Sequence, residues 1–339
     1  MRDGGFAFED ARKNAFSSGS FSPLDVEKIA LGLSNANIDI IEMGAVEVSD
    51  NGKTDMAIYS NLEDISKTIP RQRKANQMYT AFLRGPDIPI SDIPLYAPSY
   101  CDTLRVVIRY SEIQKSLEYC KQLVKKNYKV FIQPMVTMRF TPEEIQTLIK
   151  AANDMGAYAI YIVDTYGYMM DKDIKQIFST YDKGLDASIK IGFHAHNNTN
   201  LALSNSMSFI NQNSERDLVL DSCCLGMGQG AGNLQTELIT DYLNKHSHAN
   251  YDYDSVLDTC ETIDQYSNMN LWGYSLARLL PAIHNTAYKF SVDLRENYRL
   301  SFKEINHILK NIPEKFRHRY TQENTEELLR LFGYKKLLK

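Results

Sequence analysis

Short, uninterrupted apolar runs recur along roughly the first 245 residues of this 339-residue chain, each followed by a stretch of helical periodicity. That alternation restricts the chain to folds built on a parallel sheet, because parallel strands need a crossover between them and bury both faces. The runs are Ile38–Met43, a segment within Met78–Leu83, Leu104–Ile108, Val130–Ile132, Ala159–Val163, Lys190–Phe193 and a segment within Leu218–Cys223. Between them the helix signals are specific. Ser22-Pro23 with Asp25 reads as a capped start to a helix whose stripe is Leu24, Ile29, Ala30 and Leu33. Ile113, Leu117, Cys120 and Val124 form a second stripe, Thr141-Pro142-Glu143-Glu144 caps a third helix that Gly156 ends, and a fourth lies near Asp173–Thr180.

Seven such strands favour a (βα)8 TIM barrel over an open doubly wound sheet, and no GxGxxG opens a first βα turn. Arg2-Asp3 falls where an eighth strand, first in order, would end; no residues before Met1 supply its body, so the expectation is a barrel with a truncated first strand. The barrel is expected over 1–245. From 250 to 339 the apolar runs give way to helical stretches at Ser255–Tyr266, Ser275–Phe290, Ser301–Asn311 and Glu323–Leu331, an α-helical C-terminal region.

Active sites of parallel barrels gather at the C-terminal ends of the strands. The polar residues there are Arg2, Asp3, Glu42, Arg105, Gln133, Asp164, Thr165, His194 and His196, and the last strand runs into Gly226–Asn233. His194-Ala195-His196 stands out, since residues two apart in a strand share a face and two imidazoles with a carboxylate suit a divalent ion. The same spacing in His246-Ser247-His248 lies among polar residues with no strand before it and reads as solvent-exposed. The glycine run reads either as a flexible loop before a helix or as backbone approaching a ligand closely. Asn233 reads as a helix cap or a metal ligand.

A hydrophobic fraction of 43% with 24% charged residues is that of a globular protein, and no apolar run is long enough to span a bilayer. A net charge of −4 gives no electrostatic reason to expect nucleic acid. The N-terminus lacks the apolar core of a signal peptide, so a cytoplasmic location is expected. The five cysteines form no CxxC pair and are expected to be reduced.

Arg2–Gly5, Phe193–Asn198 and Gly226–Asn233 resemble, in order, three signatures of the HMG-CoA lyase-like metallolyase superfamily, most closely its 4-hydroxy-2-oxovalerate aldolase branch. Ile41–Gly44 and Asp164–Gly167 are similar to two further segments of that branch. The resemblance implies a divalent metal (Mn2+ or Mg2+, with Zn2+ as an alternative) on Asp3, His194 and His196, with Asn233 as a further ligand. It implies that Arg2 neutralises the enolate oxygen of a 2-oxo acid, and it makes a small 2-oxo acid or aldehyde the expected partner. Thr165 and Tyr166 join Arg2 as candidate catalytic residues, while Glu42, Arg105 and Asp164 are candidates for substrate binding; self-association into a homo-oligomer is left open.

One departure matters: the aldolases carry a catalytic histidine shortly after Arg-Asp-Gly, where this chain has Phe6. A phenyl ring moves no protons, and Tyr166 and Tyr168 are the nearby alternatives, though an ordinary phenol is a poor base at neutral pH. The alternatives to an aldolase are a condensing acyl transferase of the same superfamily, whose Gln after the motif is missing here, or a silent barrel serving as a binding subunit. Trp272 reads as core packing or as a lid contact.

Overall fold

The computed structural model describes residues 1–13, 20–47, 57–266, 269 and 271–334. Its strands are β1 (Ile40–Val46), β2 (Ile58–Tyr59), β3 (Met78–Leu83), β4 (Thr103–Ile108), β5 (Lys129–Pro134), β6 (Ala159–Asp164), β7 (Lys190–Ala195) and β8 (Leu218–Leu220). All pair in parallel in the order β2-β1-β3-β4-β5-β6-β7-β8. Alternating with them are α1 (Arg2–Lys13), α2 (Pro23–Asn35), α3 (Leu62–Ser66), α4 (Ile113–Lys125), α5 (Pro142–Met155), α6 (Asp171–Gly184), α7 (Ala202–Ile210), α8 (Thr236–His246) and α9 (Tyr253–Asp264). The sheet curls into a TIM-barrel-like half-barrel, and its strands other than the half-buried β8 are buried along most of their length, as the apolar runs require.

Local chemistry sets the helix ends. Ser22 and Asp25 form a reciprocal capping box at the start of α2, and Thr141 and Glu144 do the same for α5. α5 stops at Gly156, which takes the left-handed conformation (φ 65°).

The start of the chain departs from expectation. Arg2 and Asp3 do not end a strand; they form the first turn of α1. Helix wins there because Asp3 complements the positive end of the helix dipole and Ala7, Glu9 and Ala11 are good helix formers. The helix is anchored by Phe8, which makes edge-to-face contacts with Phe21 and Tyr266. The eighth strand comes from Ile58–Tyr59 instead, which pairs with β1 only at Ala45 and Val46. The edges of β1 and β8 remain apart, and a cleft of about 640 Å3 runs between them, with Arg2, Asp3, Arg105 and His194 among its lining residues.

The C-terminal region forms α10 (Leu276–Ile283), α11 (Lys289–Glu296), α12 (Phe302–Lys310), α13 (Glu314–Arg317) and α14 (Gln322–Leu331). The expected single helix over Ser275–Phe290 is two, broken where Asn285 takes a positive φ of 50°. Leu280, Phe290, Leu294, Ile305, Ile308 and Leu328 build a core of their own, whereas Val256, Cys260 and Ile263 of α9 join the barrel core. Among the described residues no helix is long and apolar enough to cross a membrane. All five cysteines are free.

Gly192 shows how tightly the sheet is filled. A Cβ at this β7 position would lie 2.4 Å from the ring of Tyr161 on β6, which is wholly buried. Gly192→Ala is therefore expected to destabilise the protein by about 1–3 kcal/mol through overpacking, measured as a lower urea midpoint with an unchanged slope.

Candidate active site

A chain of alternating charges crosses the sheet beside the cleft. Arg2 of α1 donates through Nε to Glu42 Oε1 of β1 at 2.7 Å, and its Nη1 lies 2.9 Å from Asp3 Oδ1. Arg105 of β4 reaches Glu42 Oε2 at 2.9 Å on one side and Asp221, just beyond β8, on the other. Asp221 Oδ2 in turn lies 2.8 Å from Nδ1 of His194 on β7. Gln133 of β5 accepts from Arg105 Nε at 2.8 Å in the amide orientation that satisfies both groups. Aromatic faces complete the enclosure: the Arg2 guanidinium lies 4.2 Å from the ring centre of Phe82 and that of Arg105 5.2 Å from Tyr161.

Burial disfavours each of these charges, and the neighbours outweigh it. Asp3 and Glu42 raise the pKa of Arg2, and Asp221 and Glu42 raise that of Arg105. Burial alone would raise the Asp3 carboxyl, yet Arg2, His194 and His196 hold it below the usual range. Arg105 and His194 likewise overcome burial to hold Asp221 well down. Among these side chains two guanidinium groups face three carboxylates, which leaves one negative charge in excess.

The histidine pair is set by hydrogen bonds behind it. His196 Nδ1 lies 3.0 Å from the Asp164 carbonyl oxygen, which only accepts, so the proton sits on Nδ1. Ionised Asp221 imposes the same arrangement on His194. Both rings, with centres 4.9 Å apart, therefore keep Nε2 for a ligand. Burial, with His194 second, pushes His196 down to about 4, so it is neutral at pH 7.

Asn233 joins the pair through the backbone. A β-bridge connects it with His196, flanked by Asn197 N–H to Gly232 O (2.8 Å) and Leu234 N–H to Ala195 O (3.2 Å). The glycine run is thus an ordered turn. A Cβ on Gly232 (φ 88°) would come within 2.0 Å of the Gly226 oxygen, and one on Gly228 within 2.3 Å of Asn233 Nδ2 and 3.5 Å of Asp3 Cβ. Asn233 Nδ2 donates to Met227 O at 2.9 Å, while its buried Oδ1 has no hydrogen-bond partner among the described residues. A buried acceptor of this kind costs about 1–3 kcal/mol unless something occupies it. Two imidazole nitrogens, a carboxylate and a free amide oxygen are a donor set that fits a hard or borderline divalent cation, and the excess negative charge favours one. Among the described residues no three His, Cys, Asp or Glu side chains already converge on one point; Asp3 is instead paired with Arg2.

Other expected site residues lie elsewhere. Thr165 Oγ1 accepts from Val136 N–H at 2.7 Å and so ties the β6 loop to the β5 loop. Tyr166 Oη sits 2.6 Å from His318 Nδ1, with the two rings stacked, which fastens the C-terminal helices to the barrel. Burial pushes the Tyr166 phenol well above its ordinary value. The Asp164 carboxylate accepts from the backbone of Tyr168 and Met169 and closes its own loop, though burial pushes it up to about 7. Phe6 is buried between cations, its ring centre 4.1 Å from the Arg84 guanidinium and 5.9 Å from that of Arg2. His246 and His248 are exposed. Two contributors went unmarked in the sequence: Asp221, for which the signal was a polar residue ending the last strand run, and His318, which carried no local signal. Trp272 Nε1 donates to the Leu225 carbonyl at 2.9 Å and braces the glycine turn.

Unfolded chains protonate histidine near pH 6.5, whereas folded His196 does so near 4, so its neutral form stabilises the fold above pH 6.5 and that contribution is lost as pH falls towards 4. In metal-free protein, the loss of stability between pH 7 and 4.5 is expected to be smaller in His196→Gln than in the wild type by roughly 2 kcal/mol, read from urea unfolding at each pH.

A family model described as HMGL-like matches residues 14–265. Oxaloacetate decarboxylase of Mycobacterium tuberculosis is 26% identical over 242 residues, covering 70% of this chain and 69% of its own length. A 4-hydroxy-2-oxovalerate aldolase of Carboxydothermus hydrogenoformans is 26% identical over 248 residues, covering 73% and 72%. Among solved structures, the N-terminal domain of a candidate aldolase from Bacteroides vulgatus superposes with a TM-score of 0.72 at 23% identity over 90% of this chain and 97% of its own. Hydroxymethylglutaryl-CoA lyase from Pseudomonas aeruginosa gives 0.60 at 17% identity over 79% and 90%. These two likenesses are of fold.

Proposed function

The chain belongs to the HMGL-like family, and from that premise we propose that it is a divalent-metal-dependent carbon–carbon lyase acting on a 2-oxo acid. The observation that carries this reading is the buried Oδ1 of Asn233, without a hydrogen-bond partner among the described residues, beside two imidazoles whose Nδ1 atoms are already committed. Asp3, His194, His196 and Asn233 would hold the ion. When bound, Mn2+ or Mg2+ supplies a Lewis acid for the 2-oxo and carboxylate oxygens of the substrate.

The chain's own groups account for the rest. Arg2 is fixed by Glu42, Asp3 and the Phe82 ring, so its guanidinium is oriented before substrate arrives and can stabilise an enolate oxygen without reorganising. Arg105 is held between Glu42 and Asp221 and adds positive potential where a substrate carboxylate would lie. A 2-oxo acid would leave as the enol of pyruvate or a homologue once the C3–C4 bond breaks.

Which fragment departs from C3, an aldehyde or CO2, depends on the base. Retro-aldol cleavage of a 4-hydroxy-2-oxo acid requires removal of the hydroxyl proton, but Phe6 is packed between guanidinium groups and the Tyr166 hydroxyl is tied to His318. Decarboxylation of a 2-oxo acid with a carboxylate on C3 needs no such base, since loss of CO2 leaves the electron pair on the enolate directly. Phe6 thus favours a second reading, decarboxylation, and a relative of similar identity is an oxaloacetate decarboxylase.

Purified protein with Mn2+ is expected to release pyruvate from oxaloacetate or 4-hydroxy-2-oxovalerate, followed by coupled lactate dehydrogenase after subtraction of the metal-only rate. His194→Ala and His196→Ala should each lower the rate at least 100-fold and abolish Mn2+ binding, while His246→Ala leaves both unchanged. No pyruvate from either substrate, or equal Mn2+ content in all three variants, sinks the proposal.

Phe6→His discriminates the two reactions. A correctly placed base is worth about 10²–10⁴-fold, so the variant should raise aldol cleavage at least tenfold and leave decarboxylation within a few-fold. An equal effect on both reactions would remove the role assigned to Phe6.

A further inference from the structure

We propose that Asp221 is a positioning residue for His194: its carboxylate holds the imidazole as the Nδ1–H tautomer and turns Nε2 into the site. For metal binding this rests on the reading above, although the geometry is a property of the chain itself. Asp221 lies just beyond the short β8, and its two oxygens have divided duties. Oδ2 faces His194 Nδ1 at 2.8 Å and also takes Arg105; Oδ1 accepts from the Tyr161 hydroxyl at 3.1 Å. Three donors from β4, β6 and β7 thereby fix a carboxylate whose side chain is only 12% exposed. Asp221 cannot swing away from His194 without breaking the bonds to Arg105 and Tyr161.

His194 and His196 are oriented by different means. His196 is held by a backbone carbonyl, which no side-chain substitution removes. The orientation of His194 depends on one carboxylate, so the chemistry of the pair can be separated by changing Asp221. A carboxylate behind a ligating imidazole also makes its far nitrogen more electron-rich, and losing such a partner typically weakens metal affinity 10–100-fold. Asp221 further connects the two ends of the site. The same oxygen that orients His194 anchors Arg105, and Arg105 is anchored at its other end by Glu42, so this carboxylate couples the two halves of the site.

The test uses the full chain, Mn2+ as the probe, and two readouts besides turnover. Free Mn2+ followed by electron paramagnetic resonance should show Asp221→Asn binding 10–100-fold more weakly than wild type. Asp182→Asn, which breaks an ion pair with Arg216 outside the site, should change affinity by less than threefold. In parallel, nitrogen-15 spectra of histidine-labelled, metal-free protein should place the His194 proton on Nδ1 in the wild type, and mix or invert the tautomer in Asp221→Asn. A folded Asp221→Asn that binds Mn2+ like wild type and keeps the His194 tautomer overturns the proposal, as does an equal loss in Asp182→Asn. If wild type binds no Mn2+, the metal reading fails separately, and the tautomer comparison alone decides the role of Asp221. Should Asp221→Asn fail to fold, the wild-type spectrum still decides, because His194 found with its proton on Nε2 would overturn the proposal.

Discussion

Burying five charged side chains side by side is the constraint on which the rest of this molecule depends. Taking one ion out of water costs several kcal/mol, and removing one partner of a buried pair costs about 3–5 kcal/mol. Arg2, Glu42, Arg105 and Asp221 tolerate burial only because each cation lies between carboxylates and each of these carboxylates meets a cation. The four come from α1, β1, β4 and the end of β8, so their spacing is correct only when the sheet has curled far enough to bring β4 and β8 within reach across its concave face. The parallel register of the strands is therefore not just scaffolding for the site. It sets the distance at which the charges cancel.

The loops at the site are held from outside the barrel as well as from within. Trp272 fastens the glycine turn through the Leu225 carbonyl, and Leu225 itself takes a positive φ of 53°, a strained conformation for a branched side chain that such a contact can stabilise. Tyr166 and His318 clasp the β6 loop to the C-terminal helices, whose apolar core is separate from that of the barrel. A catalytic constellation needs its residues held within about half an ångström. Here the C-terminal region contributes to that precision, supplying braces where the expected catalytic tyrosine would otherwise be free.

Most of this was readable from residues close together in sequence. The seven apolar runs became strands because burial on both faces leaves a local, contiguous signal, and the capping boxes of α2 and α5 are encoded within four residues each. His194, His196 and Asn233 were legible for the same reason. What failed was nonlocal or marginal. Arg2-Asp3 was expected at a strand end, but the helix preference of the following ten residues decided the matter. Ile58–Tyr59 is too short to announce itself as a strand. Asp221 meets the same strand-end rule as Glu42, but it sits between an apolar run and a glycine loop whose patterns are both stronger than that of one carboxylate. The Tyr166–His318 pair spans 152 positions, and no periodicity or spacing could have joined them.

The position of Phe6 says most about the chemistry. In a site with two guanidinium groups and three carboxylates, a protonatable histidine would compete with the bound cation for the single excess negative charge. A phenyl ring avoids that competition and still contributes, because its face attracts the Arg84 guanidinium at 4.1 Å without carrying charge. Phe6 thus places an aromatic face between Arg2 and Arg84, whose charges are shared with Asp3, Glu42, Glu9 and Glu47, where a histidine could have transferred protons. On the proposed reading, such a face suits a reaction in which negative charge develops on an enolate oxygen and no proton must be removed first. A divalent ion would turn the cluster's charge from one negative to one positive, and a 2-oxo acid monoanion would bring it back to neutrality. A dianion would leave one negative charge, which passes to the enolate oxygen when neutral CO2 departs and is lost from the site only when the enolate takes a proton from water and hydroxide leaves. On the proposed reading, electrostatics would therefore order the site: the cation before the acid, with the charge that moves onto the enolate oxygen during cleavage met by the positive groups already in place.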